Sequence, residues 1–170
     1  GTVIQDLRAR LGRAESPARR QRLRLALGLQ EARRGRYTAS SEHFAAVLAE
    51  RPADVVALVG QANNAYYRSR FDAALAGYHQ ARQLAPGQGA IPFNQAQVYF
   101  KKLFVPEAGQ ALEDARALGF DTGALQTATP DPDEFSPVSY LPLSRADLRA
   151  SARGEADQYP PLAHLAGWNF

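Results

Sequence analysis

The sequence predicts an all-α fold built as a series of antiparallel helical hairpins, and three observations carry that reading. The first is a 34-residue period. Pro52 and Pro86, Tyr37 and Phe71, Phe44 and Tyr78, Ala74 and Ala108, and Ala81 and Ala115 stand one period apart, while Gly28, Ala62 and Ala96 run through three copies. The second is helical spacing within the period: Phe71, Ala74, Leu75, Tyr78 and Ala81 recur at three- and four-residue steps, which puts them on one helical face. The third is punctuation. Arg68-Ser69-Arg70 has room only for a tight turn, so the helices flanking it lie antiparallel, and Pro86 opposes continuation of the second.

Taken in order, Val3, Ile4, Leu7, Leu11 and Ala14 form an apolar stripe at helical spacing, with Gln5, Asp6, Arg8 and Arg10 mostly off it. Pro17 precedes Pro52 by close to one period. Residues 3–14 are therefore either the second helix of a degenerate preceding repeat, capping the series, or a link to an upstream region. Ser16-Pro17 is a strong helix start: a hydroxyl cap, then proline where no amide donor is missed. Over 18–34, Leu23, Ala26, Leu27 and Gln30 face inward, whereas Arg19, Arg20, Arg22 and Arg24 need water or acidic neighbours. Gly35 ends that helix.

The helix expected over 38–51 turns Phe44, Val47 and Leu48 inward. The hairpin 55–68 and 71–84 is the best-formed copy. Small residues at Ala62, Ala74 and Ala81 let its backbones approach, and Phe71 and Tyr78 fill the space around them. Pro86-Gly87-Gln88-Gly89 turns the chain into 90–102, which carries Phe93, Ala96, Tyr99 and Phe100. Pro106 opens 106–118, and Gly119 closes it.

After Phe120 the period fails. Residues 121–143 hold Pro130, Pro132, Pro137 and Pro142, four acidic groups and no basic one, which reads as irregular chain. Ser144-Arg145-Ala146-Asp147 resembles a capping box and predicts a short helix over 145–153, ending at Gly154. Tyr159, Leu162, Leu165, Trp168 and Phe170 then crowd the last segment. Such a tail is expected either to cover the open end of the series or to bind a partner chain.

A two-helix unit with a 34-residue period resembles the tetratricopeptide repeat. That family's pattern has a small residue at position 8, aromatics at 17 and 24, Ala at 20 and 27, and Pro at 32. The middle copy carries Ala62, Phe71, Ala74, Tyr78, Ala81 and Pro86 there. The first copy, about 21–54, keeps Gly28, Tyr37, Phe44 and Pro52, with Ser40 and Val47 for the alanines. The third, about 89–122, keeps Ala96, Ala108 and Ala115, with Val105, Leu112 and Phe120 for the aromatics and the proline. The resemblance implies an α-solenoid, a right-handed superhelix of antiparallel hairpins with an irregular Pro-rich C-terminal extension. Its parts are a capping or linking helix over 1–16, three repeats over 17–122 and the extension over 123–170.

The resemblance also implies where a partner binds, because the first helix of each repeat lines the concave groove at positions 2, 5, 9, 12 and 13. Carried over, with Asn94 lying next to the set, these places give the candidates Arg22, Leu29, Arg33, Asn63, Tyr66, Tyr67, Phe93, Asn94, Gln97, Phe100 and Lys101. Leu25, Ala32, Val56, Val59 and Ala90 complete the lining. Taken at face value the groove is amphipathic: rigid aromatic surface, three amides able to bond a peptide's carbonyls and amides, and cations at two edges. A one-residue shift in the middle copy exchanges Asn63 for Asn64 and buries Tyr66. Alternatively, Tyr66 and Phe100 pack between repeats and only the polar groups face outward. One subset of the family clamps acidic chaperone tails with Lys, Asn, Asn, Lys and Arg. Here Leu25, Leu29, Gly60, Ala90 and Asn94 hold those five places, and none matches.

Composition bounds the rest. Hydrophobic content of 45% and charge of 22% describe an ordinary globular chain. Methionine is absent, even at position 1, which points to a processed chain or an excised fragment, with any targeting segment upstream. Zero cysteines exclude disulfides and thiolate metal sites. The net charge of +3 is uneven, with ten Arg against Asp6, Glu15 and Glu31 before residue 37. His43, His79 and His164 show no metal-ligand spacing, and Asp131, Asp133 and Glu134 lie in the Pro-rich stretch. No nucleophile stands beside a base in the sequence.

The expectation is thus a non-catalytic, bacterial-type interaction module without cofactor or metal, binding a protein or peptide in its groove, within a larger protein or assembly. The alternative is an adaptor for nucleic acid or an anionic surface, using the Arg-rich N-terminal helices. Compartment and oligomeric state stay open.

Overall fold

The structure, a computed structural model, describes residues 2–120. The Pro-rich extension, the expected helix over 145–153 and the Trp168 tail lie outside the described residues.

Side-chain caps set three of the seven helix starts. Thr2 opens α1 (Val3–Gly12) with a capping box: its Oγ1 accepts from Gln5 N at 3.2 Å, and Thr2 N donates to Gln5 Oε1 at 3.0 Å. Ser16 and Pro17 begin α2 (Pro17–Arg33), and Arg36 precedes α3 (Tyr37–Glu50). Asp54 Oδ1 accepts from Ala57 N at 2.9 Å to start α4 (Val55–Tyr67). Then follow α5 (Phe71–Leu84), α6 (Ala90–Lys101) and α7 (Val105–Ala117). All seven agree with the expected helices to within two residues. The largest difference is at α1, which ends at Gly12 because Arg13 and Ala14 donate instead to Arg10 and Leu11, tightening the last turn.

The period is visible in the backbone as well. Gly35, Ser69 and Leu103, one period apart, have φ of +72°, +58° and +62°. Each is followed by the same closing bond: Arg36 N to Glu31 O at 3.0 Å, Arg70 N to Ala65 O at 2.8 Å, and Phe104 N to Tyr99 O at 2.8 Å. Only the first of the three turns has glycine, the residue that adopts this conformation without steric cost.

Every helix packs on its neighbours in sequence, and α2 also meets α4. Among the described residues there is no strand. α1 lays Ile4 and Leu7 into a core shared with Leu23, Leu27, Phe44, Val47 and Ala57. A second core gathers Val59, Ala62, Tyr78, Ala81, Ile91, Phe93 and Phe120. The ring of Phe44 fits between two glycines, since a Cβ on Gly28 would stand 2.7 Å from it and one on Gly60 nearer still. No described helix is long and apolar enough to cross a membrane.

Candidate functional site

The candidate residues lie on α2, α4 and α6, the first helix of each hairpin. Neighbouring packed helices are only about 8–10 Å apart axis to axis, so polar side chains on them can reach one another. They do. Asn63 Oδ1 accepts from Tyr78 Oη and from Asn94 Nδ2, the latter at 3.3 Å, and Asn94 Oδ1 accepts from Gln97 Nε2 at 3.5 Å. All four side chains are buried. The chain of amides crosses from the second hairpin to the third, and buried amides require such partners. Gln97 Oε1, also buried, has no hydrogen-bond partner among the described residues.

Asn63 meets Asn94 across the two hairpins, while Tyr66 is buried, as the one-residue shift had it. Asn64 points elsewhere, donating to Ser40 Oγ at 2.9 Å and Ser41 Oγ at 3.0 Å on α3.

The aromatic candidates separate into two kinds. Tyr66 is buried, its ring 5.9 Å from that of Phe71 and 5.5 Å from that of Tyr67, and burial raises its phenol pKa. Phe93 is buried against Phe120, ring centroids 4.7 Å apart. Tyr67 is half-buried and stacks on Tyr37 at 5.0 Å with rings nearly parallel. Phe100 and Lys101 are half-buried at the end of α6. On α2, Leu29 and Arg22 are buried and Arg33 is exposed. Partial desolvation lowers the Arg33 pKa, but a guanidinium stays cationic at any ordinary pH. The accessible part of the set is therefore Arg33, Tyr67, Phe100 and Lys101, a narrower surface than the amphipathic groove expected from sequence.

Two contributors escaped the sequence reading. Tyr78 was assigned to packing alone, yet its hydroxyl is what holds Asn63. The signal was available: Phe44 fills the equivalent place one period earlier, and a buried Tyr there needs a polar partner. Tyr37 likewise does more than pack, extending the aromatic surface of Tyr67. A depression of ≈ 470 Å³ opens beside it, lined by Arg36, Tyr37, Thr38, Glu42 and Arg68 among others.

Many N-terminal arginines are engaged internally. Arg8 and Arg36 pair with Glu31, Arg10 with Asp6 and Arg24 with Glu50, while Arg13 and Arg20 bond main-chain carbonyls. His43 is half-buried on α3, and desolvation lowers its pKa against the opposing pull of Glu31. His79 is exposed, 3.1 Å from Gln83. No cluster of three or more metal-ligating side chains occurs among the described residues. Compared with known proteins, the chain matches no family model and no curated protein sequence.

Proposed function

We propose that the chain is a non-catalytic interaction module of the tetratricopeptide kind, a right-handed α-solenoid whose concave side, lined by α2, α4 and α6, takes a peptide or protein segment. One observation carries this reading: the Asn63–Asn94–Gln97 line ends in a buried amide oxygen with no donor among the described residues, while Tyr67, Phe100 and Lys101 of the same candidate set are half-exposed. A peptide N–H is the donor such an oxygen lacks, and rigid aromatics with a cation are the usual anchors of a bound segment. The recurrence of Gly35, Ser69 and Leu103 in one backbone conformation supports the repeat reading. The internal pairing of Arg8, Arg10, Arg24 and Arg36 weighs against a bare cationic surface for nucleic acid.

The test is capture of partners from a lysate of the source cells by the immobilised chain, against the double variant Tyr67→Ala/Lys101→Glu, at low and high salt. The expected result is a protein whose binding weakens at least about tenfold in the variant. Undiminished capture by a variant of unchanged helicity would overturn the groove. Capture of nucleic acid that vanishes steeply with salt would move the function to the N-terminal arginines.

A further inference from the structure

Three turns of the chain come together along one edge of the molecule. α2 meets α3 at 34–36, α4 meets α5 at 68–70, and α6 meets α7 at 102–104. The first two touch, because Tyr37 stacks on Tyr67 and Arg68 helps line the depression beside Arg36. The last two are joined by the ion pair of Lys102 with Asp72. The intervening turns, at 13–16, 51–54 and 85–89, fall at the other ends of the same packed helices.

The two edges differ in charge. Within 33–37, 67–71 and 101–105 stand Arg33, Arg34, Arg36, Arg68, Arg70, Lys101 and Lys102, and no acidic residue. The opposite turns set Arg13 and Arg51 against Glu15 and Asp54. A cation at the end of a helix complements the macrodipole, which accounts for Arg33, Arg34, Arg68 and the lysines. It does not account for Arg70, which precedes α5 and so sits at a helix's positive end. Arg36, in the equivalent place before α3, is held by Glu31. The Arg70 side chain has no hydrogen bond or ion pair among the described residues.

The same edge carries an apolar tip. Where the first two periods have Gly35-Arg36 and Ser69-Arg70, the third has Leu103-Phe104. Leu103, Phe104 and Val105 are the one run of three large apolar side chains exposed among the described residues. Leu103 takes a positive φ, which glycine takes at position 35 without steric cost, and its exposed side chain gains no packing in return. Phe104 lies under Lys102, whose Nζ is 4.9 Å from the ring centroid.

We propose that this edge docks on an anionic phospholipid surface, with Arg68 and Arg70 against the headgroups and Leu103, Phe104 and Val105 entering the acyl boundary. Cations beside an exposed apolar tip match both layers of such a surface, the acidic headgroups and the hydrocarbon beneath them. A nucleic acid would answer the cations but offers nothing to Leu103 and Val105. The proposal does not rest on the groove, since Arg68, Arg70, Leu103 and Phe104 are not among the groove candidates.

Cosedimentation of the full-length chain with vesicles tests this, using phosphatidylcholine alone and phosphatidylcholine with a quarter phosphatidylglycerol. The parent chain should prefer the mixed vesicles, and the preference should shrink at high salt. Each basic residue near such a surface raises partitioning about fivefold. Arg68→Glu/Arg70→Glu should therefore bind the mixed vesicles at least about tenfold more weakly. Leu103→Gly/Phe104→Ser leaves the charge unchanged and should lose at least about fivefold. All four residues are exposed, and unchanged helicity checks that both variants fold. Arg13→Glu/Arg51→Glu makes the same charge change at the opposite edge and should bind within about twofold of the parent. A parent chain without preference for the mixed vesicles overturns the proposal. An equal loss in the opposite-edge variant also overturns it, because net charge alone then drives binding. Vesicle binding indifferent to Leu103→Gly/Phe104→Ser, with duplex DNA binding lost in Arg68→Glu/Arg70→Glu, overturns it in favour of nucleic acid.

Discussion

Arg8 Nη2 on α1 lies 2.7 Å from Glu31 Oε1 on α2, and this carboxylate is fully buried while the arginine is 57% exposed. Arg36 Nε sits 2.6 Å from the other oxygen. Its line of approach does not satisfy that oxygen as a hydrogen bond, so the attraction there is chiefly Coulombic. One buried charge near the end of α2 thus depends on two cations, one from α1 and one from the residue that precedes α3. Removing either arginine leaves the other in place, and exposed partners are worth little singly. Arg8→Ala and Arg36→Ala should each cost about 1 kcal/mol or less. The double variant strands Glu31 and should cost about 3 kcal/mol, more than the sum. Urea midpoints for the four chains measure this, and strict additivity would show that the pair does not share one charge.

The three positive-φ turns give a prediction of opposite sign. Leu103 holds φ +62° with its side chain 78% exposed, so replacing it loses little packing. A non-glycine residue in this region is strained by about 1–2 kcal/mol. Leu103→Gly should therefore stabilise by up to about 1 kcal/mol after its extra unfolded-state entropy is subtracted. Gly35→Ala should destabilise by about the same amount. Equal thermal midpoints for both variants and the parent would contradict the assigned turns.

Overpacking should be costly where the backbones come closest. Gly60→Ala drives a methyl into the Phe44 ring, and Ala81→Leu adds three carbons at a fully buried crossing. Each should cost roughly 1–3 kcal/mol. Gly109→Ala, where a Cβ meets nothing, is the control and should be neutral or slightly stabilising.

Acid should weaken the fold through His43. Desolvation holds this imidazole below its ordinary pKa of 6.5; Glu31 and Glu42 pull it up and Arg8 and Arg24 push it down, without reversing the sign. The unfolded chain then binds a proton that the folded chain resists. The contribution is fully present above pH 6.5 and is lost as pH falls through 6.5 toward the lower folded value. Denaturant midpoints of the wild type should drop between pH 7.5 and 5.5, and those of His43→Gln should drop less. Parallel profiles would mean that other groups carry the acid response.

The helices and their packing on sequence neighbours were legible because their signals are local and repeated. Phe71, Ala74, Tyr78 and Ala81 announce one face of α5, and Ser16-Pro17 and Asp54 announce helix starts by chemistry that acts within three residues. The site was less so. Helical spacing says that Asn63, Asn94 and Gln97 share a side of the molecule; it does not say that they find each other first. That depends on how close two hairpins sit, which the spacing of residues within one helix leaves undetermined. Tyr66 and Tyr67 show the same limit. Adjacent in sequence, they part because one points at Phe71 and the other at Tyr37.

α4 stands in both cores: Val56 and Ala57 belong to the first, Leu58, Val59, Ala62 and Tyr66 to the second, and Leu48 of the preceding helix touches each. A helix that is a common wall couples the melting of what lies on either side. Neither half can open without exposing apolar surface of the other, so the hairpins lose their independence and the described residues form one cooperative unit. Denaturation followed by far-ultraviolet dichroism and by exchange at α2 and at α7 should then trace a single curve. Gly60→Ala, by spoiling the wall from one side, should be the substitution that separates the traces.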